Sequence, residues 1–381
     1  VFRNGVWIEN FIPAIYGDKG NQWNVASINL YDYEGETIKI RIRGVTGFRE
    51  FSDLAIDDIK FVSKCSTTTI WDGTAWNSGA PDIDKSVVIN GNYNTETDGN
   101  IECCSMTVNT GFTLNINDSN YILVVNNLTV NGVLNIRNNG SLIQTEDTAI
   151  NTGSITYERT ANIRKDDYVF WSSPISGFVV ENISPNTPNM YKLKWDTILA
   201  NSNGGLGDWA QAASDVMEAG KGYIVRGPNT FTTTPQNYTA IFSNGIPNNG
   251  VITTPISRGD YQGANYLGTN NAVITRFSDN WNLVGNPYPS SINVMDFLNL
   301  NTNIEGAVRI WTHNTAPSSS ISSPFYGSYV SNYSPSDYIT YNGMGTVSGP
   351  VGFNGLIAGG QGFMINMIDG PLTTSTIEFN N

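Results

Sequence analysis

The sequence predicts an all-β protein: an N-terminal β segment, a short parallel β-helix, then duplicated β-sandwich units. Three observations predict it. Near-copies of one phrase recur between Ser86 and Thr160, roughly 20–22 residues apart, the spacing of a solenoid whose coils must stack to bury their apolar faces. A second, longer repeat of four phrases begins at Asp166. Charged residues are only 14%, there are 38 glycines, and aromatics reach 11%, with no long Ala/Glu/Leu/Lys run, which is the profile of a turn-rich β protein.

At 381 residues the chain divides into several domains, read here as 1–64, 65–165, 166–278 and 279–381. In the first, Trp23–Leu30 and Ile38–Gly44 alternate apolar and polar residues, the mark of strands with one buried face. In the second, Thr107-Val108-Asn109 with Leu114-Asn115-Ile116 returns as Thr129-Val130-Asn131 with Leu134-Asn135-Ile136 and again as Asn151-Thr152-Gly153 with Ile155-Thr156-Tyr157. Asn-Gly corners between these runs predict short strands joined by tight turns. The third and fourth domains are copies of each other. Phe170–Ser176 matches Leu283–Ser290, and Tyr191–Thr197 matches Val308–Asn314. Ala219–Val225 matches Gly359–Ile365, and Thr239–Asn244 matches Thr376–Asn381. A Ser/Gly/Tyr-rich insertion near 316–355 enlarges the second copy, and two such halves pack as sheet on sheet.

A net charge of -13 argues against nucleic acid and against an anionic membrane surface, whose phosphates would repel the chain. No run of about 18 apolar residues exists to span a bilayer, so membrane insertion is not expected. Val1 opens directly into folded-looking sequence without a signal peptide, so the chain reads as an internal piece of a larger precursor. Of the three cysteines, Cys103 and Cys104 are adjacent and point to opposite faces of a strand. Cys65 can pair with one of them, or one cysteine can be buried and the others free.

Several residues carry conceivable chemistry. Ser172 and Ser173 need a base to act as nucleophiles, and the single histidine is His313; in the repeat its position is filled by unrelated chemistry, which favours a structural role. Gly220-Lys221-Gly222 and Gly359-Gly360-Gln361-Gly362 lead into strands rather than helices, so they read as glycine turns rather than phosphate loops. Asp53, Asp57 and Asp58 cluster where a strand ends, oxygen donors suited to calcium or carboxylates guarding an edge. Trp71, Trp76, Trp209 and Trp311 read as core. Tyr326, Tyr329, Tyr333, Tyr338 and Tyr341, on a long insertion, are the candidate binding face for surface glycans or other cell-surface proteins.

Two resemblances add to this. Asp53-Leu54-Ala55-Ile56-Asp57-Asp58 resembles the terminal strand of MAM-type jelly rolls, some of which hold calcium there; that implies a structural calcium at Asp53, Asp57 and Asp58 and a jelly roll whose earlier strands lie before Val1. From Trp71-Asp72-Gly73-Thr74-Ala75-Trp76 onward, with Tyr168–Pro174, Gly285–Ser290 and Ala358–Phe363, the chain resembles surface proteins exported by the type IX secretion system of Bacteroidetes. That resemblance implies an extracellular or outer-membrane location. It also implies export through a C-terminal sorting domain beyond Asn381, and O-glycosylation at Thr148 and Thr197 within Asp-Thr-apolar triplets. It implies a non-catalytic adhesin, stalk or display scaffold, the alternative being a carbohydrate-binding accessory region of a secreted hydrolase.

Overall fold

The computed structural model describes residues 65–380 apart from 203, 270, 272, 319, 322–332 and 351. Before them it describes 1–3, 5–9, 12, 14–17, 26, 28, 30, 33, 36–45, 56 and 59. The chain forms two units, Val1–Val62 and Ser63–Asn381. In the first, β1 (Phe2–Arg3) and β2 (Val6–Trp7) make an antiparallel hairpin, with the Arg41 guanidinium 4.2 Å over the Trp7 ring. The alternation over Ile38–Gly44 predicts a strand; among the described residues it makes one bridge, Lys39 to Phe2, and Ile40 and Ile42 are exposed. Of the Asp-x-Ala-x-Asp-Asp phrase, Asp53, Leu54, Ala55, Asp57 and Asp58 lie outside the described residues.

The second unit begins with the solenoid. Its strands are β3 (Thr67–Trp71), β4 (Lys85–Ile89), β5 (Tyr93–Asn94), β6 (Ile101–Cys103), β7 (Ser105–Val108), β8 (Thr113–Ile116), β9 (Tyr121–Val124), β10 (Leu128–Val130), β11 (Val133–Ile136), β12 (Ser141–Gln144), β13 (Asn151–Thr152) and β14 (Ile155–Ile163). They stack as three parallel sheets, β3-β4-β7-β10-β13, β5-β8-β11-β14 and β6-β9-β12. Period-two alternation turns one side chain in every pair inward, so Val87, Met106 and Leu128 form one column and Ile101, Ile122 and Leu142 another. Each is at most 2% exposed; burial of side chains this size contributes roughly 1.5–3 kcal/mol apiece. Outside the core, the Asn135 amide donates to Asn115 one coil below at 3.0 Å. Corners are tight: at Gly153, with φ +81°, an added Cβ would stand 1.9 Å from the Val130 carbonyl oxygen. A four-residue helix, α1 (Thr95–Asp98), replaces one corner and is capped by the Asn94 side chain.

Both ends of the stack are closed. At the start, Trp71, Trp76 and Tyr93 pack together with centroids 5.1–5.7 Å apart. Asp72 folds the intervening turn by accepting from the Thr74 and Ala75 N–H groups at 2.8 Å. Cys65 and Cys104 form a disulfide, and Cys103 is a buried free thiol. At the far end β14 outgrows the solenoid. Its first residues pair parallel with β11, while its whole length pairs antiparallel with β19 (Gln236–Gly245). The open edge of β12 is met by Pro289, whose carbonyl accepts from the Leu142 N–H at 2.9 Å.

Between β14 and β19 lie β15 (Tyr168–Trp171), β16 (Lys192–Ala200), β17 (Leu206–Gln211) and β18 (Tyr223–Arg226), in the order β15-β18-β16-β17. After β19 come β20 (Ile252–Ser257), the hairpin β21 (Tyr266–Leu267) with β22 (Val273–Ile274), β23 (Trp281–Gly285), β24 (Ile292–Asn293), α2 (Val294–Leu300), β25 (Ala307–Trp311), β26 (Tyr338–Asn342), β27 (Gly345–Ser348), β28 (Leu356–Ile357), β29 (Gly362–Asn366) and β30 (Thr374–Phe379). Their main sheet runs β23-β29-β25-β26-β27, and β20 pairs with β30. The order β15-β18-β16-β17 repeats as β23-β29-β25-β26, with β27 added at the edge of the second sheet, and β14 with β19 occupies the place of β20 with β30. The repeating units therefore open at β14 and β20, upstream of 166 and 279. Part of the sequence read as an insertion is regular structure, since β26 pairs with β25 as β17 pairs with β16.

Register also moves by one residue from the sequence match. Leu193 and Arg309 face Ile224 and Met364 respectively, which makes Trp195 the counterpart of Trp311 and Tyr338 that of Trp209. The two sheets meet through Phe170, Ile224, Leu283 and Met364, with these aromatics packed around them. Backbone bonds cross the seam symmetrically: Ser172 N–H donates to Gly360 O at 2.8 Å and Gly285 N–H to Gly220 O at 2.9 Å. Indole bonds do the same, Trp195 to Trp281 O at 2.8 Å and Trp311 to Tyr168 O at 3.0 Å. Among the described residues no helix is long and apolar enough to cross a membrane.

This close approach sets the first prediction. In Gly222→Ala the new Cβ would stand 2.6 Å from Leu283 Cγ and 2.7 Å from Val284 O, so urea unfolding is expected to show a loss of at least about 2 kcal/mol. Gly306→Ala, whose Cβ meets nothing within 4 Å, is expected to stay within about 0.5 kcal/mol of the parent.

Candidate functional site

The residues singled out in the sequence are dispersed. Asp53, Asp57 and Asp58, together with Tyr326 and Tyr329, lie outside the described residues. Among the described residues no group of three or more His, Cys, Asp or Glu gathers to hold a metal ion. Thr148 sits exposed in a turn, its hydroxyl on Glu146 at 3.0 Å. Thr197, the second expected acceptor, is 5% exposed within β16 and donates to Trp281 O at 2.7 Å, so in the folded chain its hydroxyl is engaged in the seam.

The three described tyrosines also depart from the expected binding face. Tyr333 donates to Asp166 O at 2.8 Å and packs edge-on to Tyr168. Tyr338 lies 4.9 Å from Trp311 in the seam, and Tyr341 packs on Phe353 at 5.2 Å. All three are half-buried, because they supply apolar surface that β25 and β26 need. Trp209 and Trp311 are half-buried in the same seam.

Ser172 and Ser173 are fully buried, and Ser173 donates to Ile175 O at 2.7 Å. His313 sits at φ +43° with Nδ1 buried and unpartnered. Burial pushes its imidazole down to about 4, and the Arg159 and Arg164 charges act in the same direction against Asp337. Arg159 itself lies 4.8 Å over the Trp171 ring. The glycine phrases are seam contacts, with φ +80° at Gly220 and +66° at Gly360.

A cleft of about 190 Å³ is built where the tip of the β16–β17 hairpin meets the segment linking β20 to β23. Gly204, Gly205 and Leu206 form one wall; Asp260, Tyr261, Tyr266, Ile274 and Asp279 form most of the other. Tyr266 and Ile274 face the same way because they are directly paired across β21 and β22. Tyr266 donates to Gly204 O at 2.9 Å and Tyr261 donates to Ala264 O. With both hydroxyls tied down, the rings are held edge to face at 5.3 Å and 75°.

Asp279 anchors the floor. Its backbone carbonyl accepts from Gly259 N–H at 2.9 Å and its Oδ2 from Tyr261 N–H at 3.3 Å. Its Oδ1 is buried without a partner, and the residue is 4% exposed. Burial raises its pKa, opposed by the Tyr261 N–H and the Arg258 charge. Arg258 is held beneath by Gly259 O, Leu372 O and an ion pair with Asp369 at 3.3 Å. A buried acceptor, a second carboxylate at the rim and a fixed aromatic surface are the equipment of recognition. The larger hollow beside α2, about 320 Å³, has its Asn293 side chain committed to the helix cap. No spacing in the sequence announces the first cleft, since its walls come from segments more than 50 residues apart (Gly205 to Asp260).

A family model described as "Domain of unknown function (DUF8693)" matches residues 62–381, and the chain belongs to that family. No curated protein and no solved structure matches the chain.

The second prediction concerns His313. Its folded-state pKa lies below the unfolded value of about 6.5, so between pH 6.5 and about 4 the unfolded chain binds a proton that the folded chain refuses. Stability therefore falls as pH drops through that window, by on the order of 2–3 kcal/mol from this residue. His313→Asn, which tolerates the positive φ, is expected to flatten the profile of urea midpoints between pH 7 and 4; an unchanged difference would contradict the assignment.

Proposed function

We propose that this member of the DUF8693 family is a secreted or cell-surface protein that acts as an adhesin, stalk or display scaffold. In this reading the type IX secretion machinery of Bacteroidetes exports it. The observation that carries the proposal is one apolar cluster running unbroken from Trp71 through the solenoid columns to Trp171, Tyr223 and Phe242. Such a core makes solenoid and sandwich one stiff body and gives reach to whatever its loops display. The residues that offered a nucleophile and a base support the same reading. Ser172, Ser173 and His313 serve packing. The phrases Trp-Asp-Gly-Thr-Ala-Trp and Gly-Asn-Pro-Tyr-Pro-Ser, on which the resemblance rests, are the cap and the closing contact of the solenoid. Exposed Thr148 is the acceptor this reading retains for glycosylation.

Two experiments test the proposal. Antibody raised against the chain is expected to label intact cells of the source organism, and a strain lacking the type IX translocon is expected to lose that label and hold the protein in the periplasm. Cytoplasmic protein in both strains would contradict the proposal. The proposed structural calcium is tested separately: titration of chelator-treated protein with calcium is expected to release heat that Asp57→Ala abolishes, and no heat in the parent removes the ion from the account.

A further inference from the structure

Asp279 Oδ1 is an acceptor shut away from water with nothing to accept from, an arrangement costing about 1–3 kcal/mol unless a ligand or water supplies the donor. Asp279 lines a cleft walled by Leu206, Ile274 and the Tyr261 and Tyr266 rings, with Asp260 as a second carboxylate. Three features define what fits. At about 190 Å³ the cleft is smaller than the roughly 300–1,000 Å³ that engulfs a drug-sized molecule, so it takes one ring of a longer ligand. Tyr261 and Tyr266 meet edge to face, which spends one ring face on the partner and leaves a flat surface rather than the cage that organic ammonium ions require. The Arg258 charge already compensates Asp279 in part, so a neutral donor satisfies the carboxylate, while Asp260 and Asp279 together repel an anionic ligand.

We infer that this cleft seats a single neutral pyranose ring of a glycan, its hydroxyls donating to Asp279 and Asp260 and its apolar C–H face resting on Tyr266. A saccharide combines these properties: hydroxyl donors in the plane of the ring, a C–H face above it, and no net charge. The inference goes beyond the scaffold reading and does not depend on it, because binding by the purified chain is measured regardless of where the protein resides.

The test is saturation-transfer NMR on the full chain. The probes are methyl α-D-mannopyranoside, methyl β-D-glucopyranoside and methyl β-D-galactopyranoside, with methyl β-D-glucuronide and methylammonium as contrasting ligands. At least one neutral glycoside is expected to receive saturation at its ring protons, and Tyr266→Ala is expected to weaken its binding at least tenfold. Asp279→Asn and Asp260→Asn are expected to weaken it at least threefold, with Met344→Ala, exposed and distant in sequence, unchanged. Circular dichroism confirms that each variant is folded; should Asp279→Asn unfold, the exposed Asp260 and Tyr266 variants carry the test. Absence of signal from all three neutral glycosides overturns the inference. So does signal that the Tyr266 and Asp260 variants leave unchanged, or a Tyr266-dependent response to methylammonium or the glucuronide in their place.

Discussion

A stack of parallel strands cannot end by itself, because its last rung presents a row of unpaired N–H and C=O groups to any strand that will take them. The structure depends on how that edge is closed. Strand β14 is the last rung of the second solenoid sheet and also the first strand of the sandwich. Its first residues bond parallel to β11 on one side, and all nine pair antiparallel with β19 on the other. Apolar residues inside the coil continue without a gap into those between β14, β15 and β18, so the stacked coils and the first sandwich unit share one sheet and one core.

The duplicated units build on that joint. Each contributes a sheet whose first four strands share one order, and the contacts that hold the seam include a reciprocal pair of backbone bonds, a reciprocal pair of indole bonds and four buried apolar side chains. Glycines allow the backbones to approach closely enough for this to occur, which is why Gly222, Gly285 and Gly362 have side chains of the opposite copy where a Cβ would go. Within the second copy, the segment between β20 and β23 lies against the β16–β17 hairpin of the first and forms the cleft around Asp279. The candidate site thus sits where the two copies meet, at a buried acceptor.

Much of this fold was legible in the sequence because it obeys a period. The solenoid announced itself through Thr-Val-Asn and Leu-Asn-Ile, since an in-register stack repeats the same residue at the same rung, as with Asn115 and Asn135. The duplication was legible through the phrases that form equivalent strands. Other features were not. The solenoid stretch was read as ending at Thr160, yet β14 runs on to Ile163 and its Glu158, Arg159 and Thr160 pair with Ile241, Ala240 and Thr239 of the sandwich. Trp195 and Trp311 were matched one residue out of step, because their flanking residues differ and only sheet pairing fixes the register. Tyr338 looked like a loop tyrosine free to bind, whereas its pairing opposite Trp311 makes it a seam residue. Thr197 belonged to a short acceptor-like triplet, and a triplet carries no information about burial. The cleft was least legible, as its walls are joined by tertiary contact alone.

The central claim is that coils and sandwich form one cooperative body through β14. Native-state hydrogen exchange with peptide-level mass readout tests it most directly. The account predicts that peptides from β11, β14 and β19 share one protection free energy and lose it together as denaturant rises. Protection of the coils that persists after β19 has exchanged would contradict it, and would mean that the solenoid and the sandwich are separate bodies in contact.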